Sequence, residues 1–312
     1  MKKVFSLRKF EVSFLDWLRK ALAHKLLLII SEENYKLRGN VQMTVFANDY
    51  IANHIVIDGF YEKLLLDNTL FFLENLKENM KNWVFIDIGA NIGNHSIYFA
   101  DHVKEVHAFE PNPRVFRILE INSEYKKNIN CYNYGLGENK GTYQLIINQE
   151  NIGSSFVDID NKNKDNSQES ISINIDKLDN ILGKFSRADL VKIDVEGFEE
   201  NVLKGGKNFI KKYQPIILFE QLLESDKEED LNKVSNFFLK ERYELYTFDF
   251  PIRNKNFLNR KLNKIKEIIS NRKVIKVDLV KIRKITRKMI ISGQGQLIIA
   301  MPERLKKNIP HN

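Results

Sequence analysis

The stretch WVFIDIGANIGNHSIYF, residues 83–99, joins a short apolar run, an acid, two glycines and a helix-like pattern. Its first six residues predict a buried β-strand, and residues 94–102 predict the helix that follows. Gly89 and Gly93 lie between the two elements, where we expect the backbone to turn tightly and to approach a ligand. This seam between strand and helix is therefore the first candidate for a binding site.

The same alternation of strands and helices continues along the chain. Strands are predicted at 105–109, 130–134, 190–195, 215–219, 243–250 and 296–301, with extra β pieces at 141–147 and 171–175. Helices are predicted at 113–127, at 199–213 and, opened by a capping box of Ser225 and Glu228, up to Arg242. Continuous apolar strands that alternate with helices are typical of a parallel sheet covered on both faces. We therefore predict an α/β fold.

The amino-terminal part has a different pattern. Residues 1–40 predict a helix, because apolar side chains recur at steps of three and four: Leu7, Phe10, Phe14, Trp17, Leu18, Ala21 and Leu22. Residues 41–57 are mixed, with short strand-like pieces, and helical character returns at 61–77. We expect residues 1–80 to form a helical and mixed region that packs on a core domain at 81–312.

Composition narrows the class of protein. The chain has 312 residues, 43% of them hydrophobic, which suffices for one large domain with additions or for two domains. One cysteine, Cys131, excludes a disulfide framework and fits a reducing, cytoplasmic compartment. The longest aliphatic runs have five residues, as at 26–30, far short of the ~20 that cross a bilayer.

The residues around the seam indicate the charge of the ligand. No Gly-Lys-Ser/Thr follows the strand, as a phosphate loop would require, and Asp87 is a poor neighbour for pyrophosphate. Asp87 suits a positively charged ligand, such as a sulfonium that carries an α-amino group. Glu110 lies 17 residues after Gly93, at the end of the second strand, where a carboxylate can accept both ribose hydroxyls. Together these features favour S-adenosylmethionine.

Several separate blocks between about residue 55 and residue 221 resemble the FkbM-type S-adenosylmethionine-dependent methyltransferases. They are DGFYEKLLL, FIDIGANIGNHSIYFA, AFEPNP, NYGLGENKGT, GSSF, INIDKLDNIL, LVKIDVEGFEENVLKGG and IILFEQ. Lys177 and Gly135 depart from the residues commonest in that family, Thr and Ala.

The resemblance implies a Rossmann-like methyltransferase fold. Its sheet would have about seven strands, the last antiparallel between its neighbours. The implied reaction is methyl transfer, usually to a hydroxyl. Asp87, Gly89, Asn91 and Gly93 would hold the methionine end of the cofactor, Glu110 the ribose, and Tyr134 and Gly135 would lie near the adenine. Ala90, Ser96, Pro111 and Asn112 complete the expected cofactor site.

Three acids follow two adjacent strands. Asp194 and Glu196 come after one buried strand, and Glu220 ends the next. Because neighbouring strands lie ~4.8 Å apart, these carboxylates can converge as a general base or bind a divalent cation. The alternative is that Asp194 and Glu196 cap the following helix. We expect Lys192 to form a structural ion pair and His95 to lie on the surface.

A basic insert precedes the last strand. Residues 251–292 contain 14 Lys/Arg and 2 Asp/Glu, a net +12, so the rest of a chain of net charge +8 carries −4. Leu262, Ile265, Ile268 and Ile269 share one helical face, as do Leu279, Ile282, Ile285 and Met289, so we predict amphipathic helices. Such a segment could be a lid on the domain, a contact with an anionic membrane, or a site for nucleic acid or an acidic glycan.

These features together predict an O-methyltransferase. We expect its acceptor to be a sugar hydroxyl of a surface glycan, or of a lipid-linked or nucleotide-linked precursor. An RNA methyltransferase is the second hypothesis, and the third is a non-catalytic scaffold that binds S-adenosylmethionine and docks a partner through the basic insert.

Overall fold

A computed structural model describes residues 13–47, 49–76, 78–148, 155–158, 169–221, 232–249, 277–283 and 296–309. The chain divides into two compact units, Met1–Lys63 and Leu64–Asn312. The division falls inside the region 1–80 that the sequence analysis set apart from the core. The capping box at Ser225 and Glu228, and most of the basic insert, lie outside the described residues.

The first unit contains helices α1 (Phe14–Leu37) and α2 (Tyr50–Asp58). Asp49 begins α2, because its side chain accepts a hydrogen bond from Ala52 N at 3.1 Å. The strand-like pieces expected at 41–57 are therefore wrong over α2. The cap and the helix it starts override the β-branched residues of that stretch.

The second unit contains the remaining elements. Its strands are β1 (Val84–Ile88), β2 (Glu105–Phe109), β3 (Ile129–Tyr132), β4 (Gly135–Gly137), β5 (Gly141–Ile146), β6 (Phe156–Asp158), β7 (Ser170–Lys177), β8 (Leu190–Ile193), β9 (Ile216–Gln221), β10 (Tyr243–Asp249), β11 (Asp278–Ile282) and β12 (Gln296–Pro302). Its helices are α3 (Lys63–Glu74), α4 (Asn94–Ala100), α5 (Pro113–Ser123), α6 (Glu199–Gly205), α7 (Lys207–Tyr213) and α8 (Lys233–Lys240). The helix predicted at 199–213 is thus divided in two at Gly206.

The main sheet is mixed, in the order β11-β10-β12-β9-β8-β1-β2-β3. Strands β9, β8, β1, β2 and β3 are parallel, and their apolar side chains fill the largest core cluster together with α6 and α7. The last strand, β12, pairs antiparallel with both β9 and β10. The predicted α/β Rossmann-like fold is confirmed, including the antiparallel last strand between its neighbours.

Strand β11 makes the sheet one strand wider than the seven expected. It lies inside the basic insert, and Leu279 and Ile282 pair with β10 instead of sharing a helical face. The helical prediction for the insert is therefore wrong at Asp278–Ile282. The open edge of β10 supplies backbone partners there, and this pairing outweighs the local helical spacing.

A second, four-stranded sheet has the order β4-β7-β5-β6. The sequence analysis missed β4, because a Gly-Leu-Gly strand has no β propensity. Close packing accounts for Gly137 of β4, where a Cβ would lie 2.6 Å from Phe198 Cε1. It also accounts for Gly205 of α6, where a Cβ would lie 1.8 Å from the carbonyl oxygen of Gly137. Helix α6 can therefore approach β4 only with glycine at position 205.

Candidate active site at the carboxyl edge of the sheet

The loop after β1 begins with Gly89, which has φ +78°. The amides of Gly89 and Ala90 both donate to the carbonyl of Phe109 at 3.0 Å, and so tie the ends of β1 and β2 together. A Cβ on Gly89 would lie 1.9 Å from the backbone oxygen of Asp194. A side chain here would therefore collide with the strand end that carries a candidate catalytic acid.

Gly93 ends the same loop with φ +92°, at the N-cap position of α4. A Cβ on Gly93 would lie 2.9 Å from Leu119 Cδ1. We expected both glycines for close approach to a ligand. In the structure the space beside each is filled by the protein itself, so packing already accounts for glycine at both positions.

Glu110 follows β2 and its carboxylate is held by two backbone amides. Oε2 accepts from Asn91 N at 3.0 Å and Oε1 accepts from Asn112 N at 2.8 Å. Asn91 reaches this position with φ +52°, the left-handed conformation that asparagine tolerates. A carboxylate has about four acceptor positions, so two amides leave room for two more donors.

Burial is the main influence on the charge of Glu110. The residue is 8% exposed, and burial raises the pKa of its carboxyl to about 7, although the amides of Asn112 and Asn91 oppose this shift. A ligand that donates hydrogen bonds to Glu110 would favour the ionised form. The arrangement fits the two hydroxyls of a ribose.

The other residues expected beside Glu110 have structural contacts. The side chain of Asn112 accepts from Arg114 N at 3.0 Å and caps α5. Asn133 Nδ2 donates to the carbonyls of Glu110 and Pro111, at 2.9 Å and 3.3 Å. Through their main chains, Asn91 and Asn112 position Glu110.

A buried group that we call the Lys192 cluster lies beside the loop. It consists of Asp87, Ser96, Lys192 and Asp194. Lys192 Nζ lies 2.9 Å from Asp194 Oδ2 and 3.7 Å from Asp87 Oδ1. Ser96 Oγ donates to Asp87 Oδ2 at 2.7 Å. The ion pair expected of Lys192 is present, and it joins the acid of β1 to the acid after β8.

The two ends of the cluster differ in exposure. Asp87 is fully buried, whereas the Asp194 side chain is 31% exposed. Ser96 holds Asp87 and does not cap α4, whose N-cap is Gly93. Within the described part of the chain, no hydrogen bond reaches Asp87 Oδ1. This oxygen is 3.7 Å from Lys192 Nζ, too far for a hydrogen bond, so it retains the capacity to accept from one more donor, such as an ammonium group.

Charges in the cluster stabilise one another. Burial lowers the pKa of Lys192, but the charges of Asp194 and Asp87 outweigh it, and Glu220 adds to them, so the net shift is upward. Burial raises the pKa of Asp87, and the charge of Lys192 opposes that shift. The ammonium therefore stays protonated and faces carboxylates from three adjacent strands, β1, β8 and β9.

The turn after β8 is organised by a residue that the sequence analysis missed, Glu199. Its Oε1 accepts from Val195 N and Gly197 N, both at 3.3 Å. Glu196 has φ +48° and Gly197 has φ +88°, so the chain reverses sharply between them. Glu199 thus satisfies the amides of this turn. The N-cap residue of α6 is Phe198, and neither Asp194 nor Glu196 takes that position.

His95 differs from the expectation of a surface residue. It is half-buried at the start of α4, and burial, with the positive charge of Lys192, holds the pKa of its imidazole well below the ordinary value. The His95 ring is therefore neutral and lies close enough to the Lys192 cluster to be influenced by its charge. The signal in the sequence was its position next to Ser96.

Tyr134 and Gly135 follow β3, the strand next to β2, after which Glu110 lies. The Tyr134 ring packs edge-on against Phe109, with centroids 5.4 Å apart. A Cβ on Gly135 would lie 3.4 Å from its neighbours, an ordinary contact, so the position has room for the alanine that is commoner in similar proteins.

The described residues contain neither a metal-binding cluster nor a membrane-spanning helix. No group of three or more His, Cys, Asp or Glu side chains there is arranged to hold a metal ion. No helix in that part of the chain is both long and apolar enough to cross a membrane.

Curated relatives match less than half of the chain. A hexuronic acid methyltransferase, AglP of Haloferax volcanii, is 29% identical over 146 residues, which cover 46% of this chain and 58% of that protein. Methyltransferase 1 of Beauveria bassiana is 27% identical over 141 residues, 38% of this chain and 57% of that one. The chain therefore spans somewhat more than half the length of each relative.

Among solved structures, a methyltransferase FkbM from Methylobacillus flagellatus aligns with a TM-score of 0.42 and 15% identity, over 80% of this chain and 52% of that one. The sequence profile of the methyltransferase FkbM domain matches residues 87–246, just over half of the chain, from Asp87 in β1 to Tyr246 in β10. The matched range contains the glycine loop, Glu110, the Lys192 cluster and Glu220. The chain therefore belongs to the FkbM methyltransferase family.

Proposed function

We propose that this enzyme uses S-adenosylmethionine to methylate a sugar hydroxyl of a surface glycan or of its lipid-linked or nucleotide-linked precursor. The observation that carries the proposal is the buried carboxylate of Glu110. It is held by two amides and keeps two acceptor positions beside the glycine loop. The single cysteine also supports a cytoplasmic location.

The residues present fit this methyl donor. Glu110 would accept the two ribose hydroxyls, and the orphaned Asp87 Oδ1 would accept from the α-amino group. Tyr134 and Gly135 would border the adenine, and Pro111 would lie beside them. When bound, S-adenosylmethionine supplies a methyl group activated by its sulfonium.

The acceptor hydroxyl has to lose a proton, which is the task of a base in this chain. Asp194 is the first candidate, because it is the partly exposed end of the Lys192 cluster. Glu220 and Glu196 are the alternatives. Lys192 would hold Asp194 in place, and the Asp194 carboxylate would take the hydroxyl proton. Alignment of the hydroxyl with the methyl group would supply much of the remaining rate.

The acceptor class is supported by two observations. The relative from Haloferax volcanii is named for its action on hexuronic acid. The net +12 of residues 251–292 is complementary to an acidic glycan. The same positive charge would suit RNA or an anionic membrane surface. Glycans and RNA therefore have to be compared directly as methyl acceptors.

Transfer of labelled methyl groups tests the proposal. Purified enzyme and labelled S-adenosylmethionine are incubated with acidic glycans, with lipid-linked glycans and with total RNA from the same cells. We expect label in a glycan fraction, and Asp194→Asn or Glu220→Gln to lower turnover by ~10²-fold or more with cofactor affinity nearly unchanged. Glu200→Gln, on the exposed face of α6, is the matched control and should retain activity.

Other outcomes would favour the other hypotheses. Label in RNA alone would support the RNA methyltransferase. Cofactor binding without transfer to any fraction would support the scaffold. Loss of activity on chelation, restored by a divalent ion, would make the three acids metal ligands instead of bases.

A further inference from the structure

Helix α1 has no packed side over most of its length. Every residue from Ser13 to Ile29 is exposed, including eight large apolar side chains and Trp17. Among the described residues, the hydrogen bonds that fasten the helix to α2 lie at its end: Asn34 Nδ2 donates to Val56 O at 2.7 Å, and Arg38 donates to the carbonyl of Gly59 at 3.0 Å. Because most helices in proteins are stabilised by packing of an apolar face, this one needs an external surface.

The apolar residues of α1 form a broad face at its start. Phe14, Trp17, Leu18, Ala21 and Leu22 follow one another at steps of three and four, and Phe14 is 70% exposed. Asp16, Arg19 and Lys20 occupy the opposite side, and His24 borders the face beside Trp17. Lys25, four residues after Ala21 and three after Leu22, ends this face, and its long side chain can reach the headgroups. The aliphatic run 26–30 then places apolar side chains on every side of the helix. An aromatic and aliphatic face with a basic reverse side is the pattern of helices that lie in a membrane interface.

Charge selects the kind of surface. Residues 1–30 contain seven Lys/Arg and two Asp/Glu, and one of these acids, Asp16, already pairs with Arg19 at 3.1 Å. An excess of basic residues near an apolar face is complementary to anionic lipid headgroups. Two copies of the helix could pair only along a line of apolar residues that repeats every seven positions. Lys25 and Glu32 follow Leu18 at steps of seven, so charged side chains would interrupt that line.

We propose that α1 binds the surface of an anionic phospholipid membrane and lies in the plane of its interface. The apolar face formed by Phe14, Trp17, Leu18 and Leu22 enters the headgroup boundary. Arg19, Lys20 and Lys25 contact the lipid phosphates. This attachment uses the first compact unit and does not depend on the acceptor or on the reaction.

The two tryptophans allow a direct test with the full-length protein. Trp17 is 57% exposed, whereas Trp83 is 1% exposed, so a change of emission on adding vesicles reports on α1. The probes are vesicles of phosphatidylcholine alone, and of phosphatidylcholine with phosphatidylglycerol in equal amounts. We expect co-sedimentation and a blue shift of emission with the anionic vesicles, and Trp17→Phe to remove the shift but keep the binding.

Variants separate this surface from the rest of the chain. The triple variant Trp17→Glu, Leu18→Glu, Leu22→Glu should lower vesicle partition by about tenfold or more. Arg19→Gln with Lys20→Gln should lower it by about fivefold per charge, and added salt should do the same. Phe71→Glu on α3, a residue 68% exposed, is the matched control and should bind like the wild type.

Three results would overturn the proposal. One is the absence of binding to either vesicle by a folded protein. Another is binding that the triple variant retains, which would place the contact elsewhere, as in residues 251–292. The last is a concentration-dependent oligomer, lost in the triple variant, that ignores vesicles; α1 would then be an interface between two copies of the chain.

Discussion

At the scale of single residues, Lys192 decides the electrostatics of the site. It is buried in β8, directly across from Asp87 in the sheet register, and its ammonium also reaches Asp194. One buried and one partly exposed carboxylate in close proximity would repel each other without a cation between them. Lys192 therefore joins the acid in the core to the acid at the carboxyl edge of the sheet.

Replacing Lys192 should destabilise the fold strongly. In Lys192→Met, Asp87 keeps only Ser96 as a partner in the cluster, so we expect a loss of about 3–5 kcal/mol in the free energy of unfolding, measured with denaturant. Lys204→Met is the control: Lys204 pairs with Glu200 on an exposed face of α6, and its loss should cost less than about 1 kcal/mol. Equal losses of unfolding free energy in the two variants would show that the buried ion pair contributes no more to stability than an exposed one.

Binding of the cofactor should depend on pH through Glu110. Burial raises the pKa of this carboxyl to about 7, and a ribose diol needs the ionised acceptor. Affinity should therefore be full above that pH and should fall as pH drops through it, by at most about tenfold per unit. Calorimetry with S-adenosylhomocysteine across this range measures the slope, and Glu110→Gln should flatten it. A slope unchanged in Glu110→Gln would assign the proton to another group.

At the scale of elements, the loop between β1 and α4 is shaped by its closeness to the end of β8. Gly89→Ala would direct a methyl group at the Asp194 carbonyl, 1.9 Å away, in a backbone with φ +78°. We expect a cost above about 3 kcal/mol in unfolding free energy, or no folded protein. Gly183→Ala is the matched control, because it has φ +86° and open space around it, and should cost only about 1–2 kcal/mol of backbone strain. Similar costs for both would remove the steric argument.

Strand β11 is joined to the sheet by charge as well as by its backbone. Glu244 on β10 pairs with Lys281 of β11 at 2.6 Å and with Lys306 at 2.9 Å. Burial opposes ionisation, but the hydrogen bonds from these lysines and from Tyr246 lower the pKa of Glu244 to about 2. The stabilisation is present above the ordinary glutamate pKa and is lost as pH falls toward the lowered value.

This pairing predicts the acid stability of the sheet edge. Because both lysines are about half exposed, we expect about 1–2 kcal/mol from Glu244 at neutral pH. Glu244→Gln should remove that amount and weaken the fall of stability between the ordinary pKa and about pH 2, as measured by denaturant unfolding at several pH values. An unaltered pH profile would mean that the ion pairs do not persist in solution.

The apolar pattern of the sequence predicts the bounds of the parallel strands almost to the residue, as at Glu105–Phe109. It does so because buried strands appear in a sequence as unbroken apolar runs. It also found Asp87, Glu110 and Asp194, since acids that end such runs stand out. It missed β4 and β11, which depend on partners distant in the chain: α6 for one and the edge of β10 for the other. The roles of Glu199 and His95 were missed for the same reason, because their neighbours come from turns that spacing does not reveal.

At the scale of the whole molecule, the region that matches the family does not include the region that carries most of the positive charge. The match ends at Tyr246, before the basic insert and the last strand, although β12 completes the sheet between β9 and β10. The insert carries +12 against −4 elsewhere. The amino-terminal unit carries the exposed helix α1. The proposed chemistry therefore resides in the matched region, and the parts outside it are the places to seek what this chain recognises.

The central claim is that Glu110, together with Asp87, forms a site for S-adenosylmethionine. Isothermal titration of the wild type with S-adenosylhomocysteine, beside NAD and ATP, tests it most directly. We predict heat of binding for S-adenosylhomocysteine alone, and an affinity weaker by about 1–3 kcal/mol in folded Glu110→Ala, because a charged partner of the ribose is lost. Equal affinity in wild type and Glu110→Ala, or binding of NAD in place of S-adenosylhomocysteine, would contradict the account.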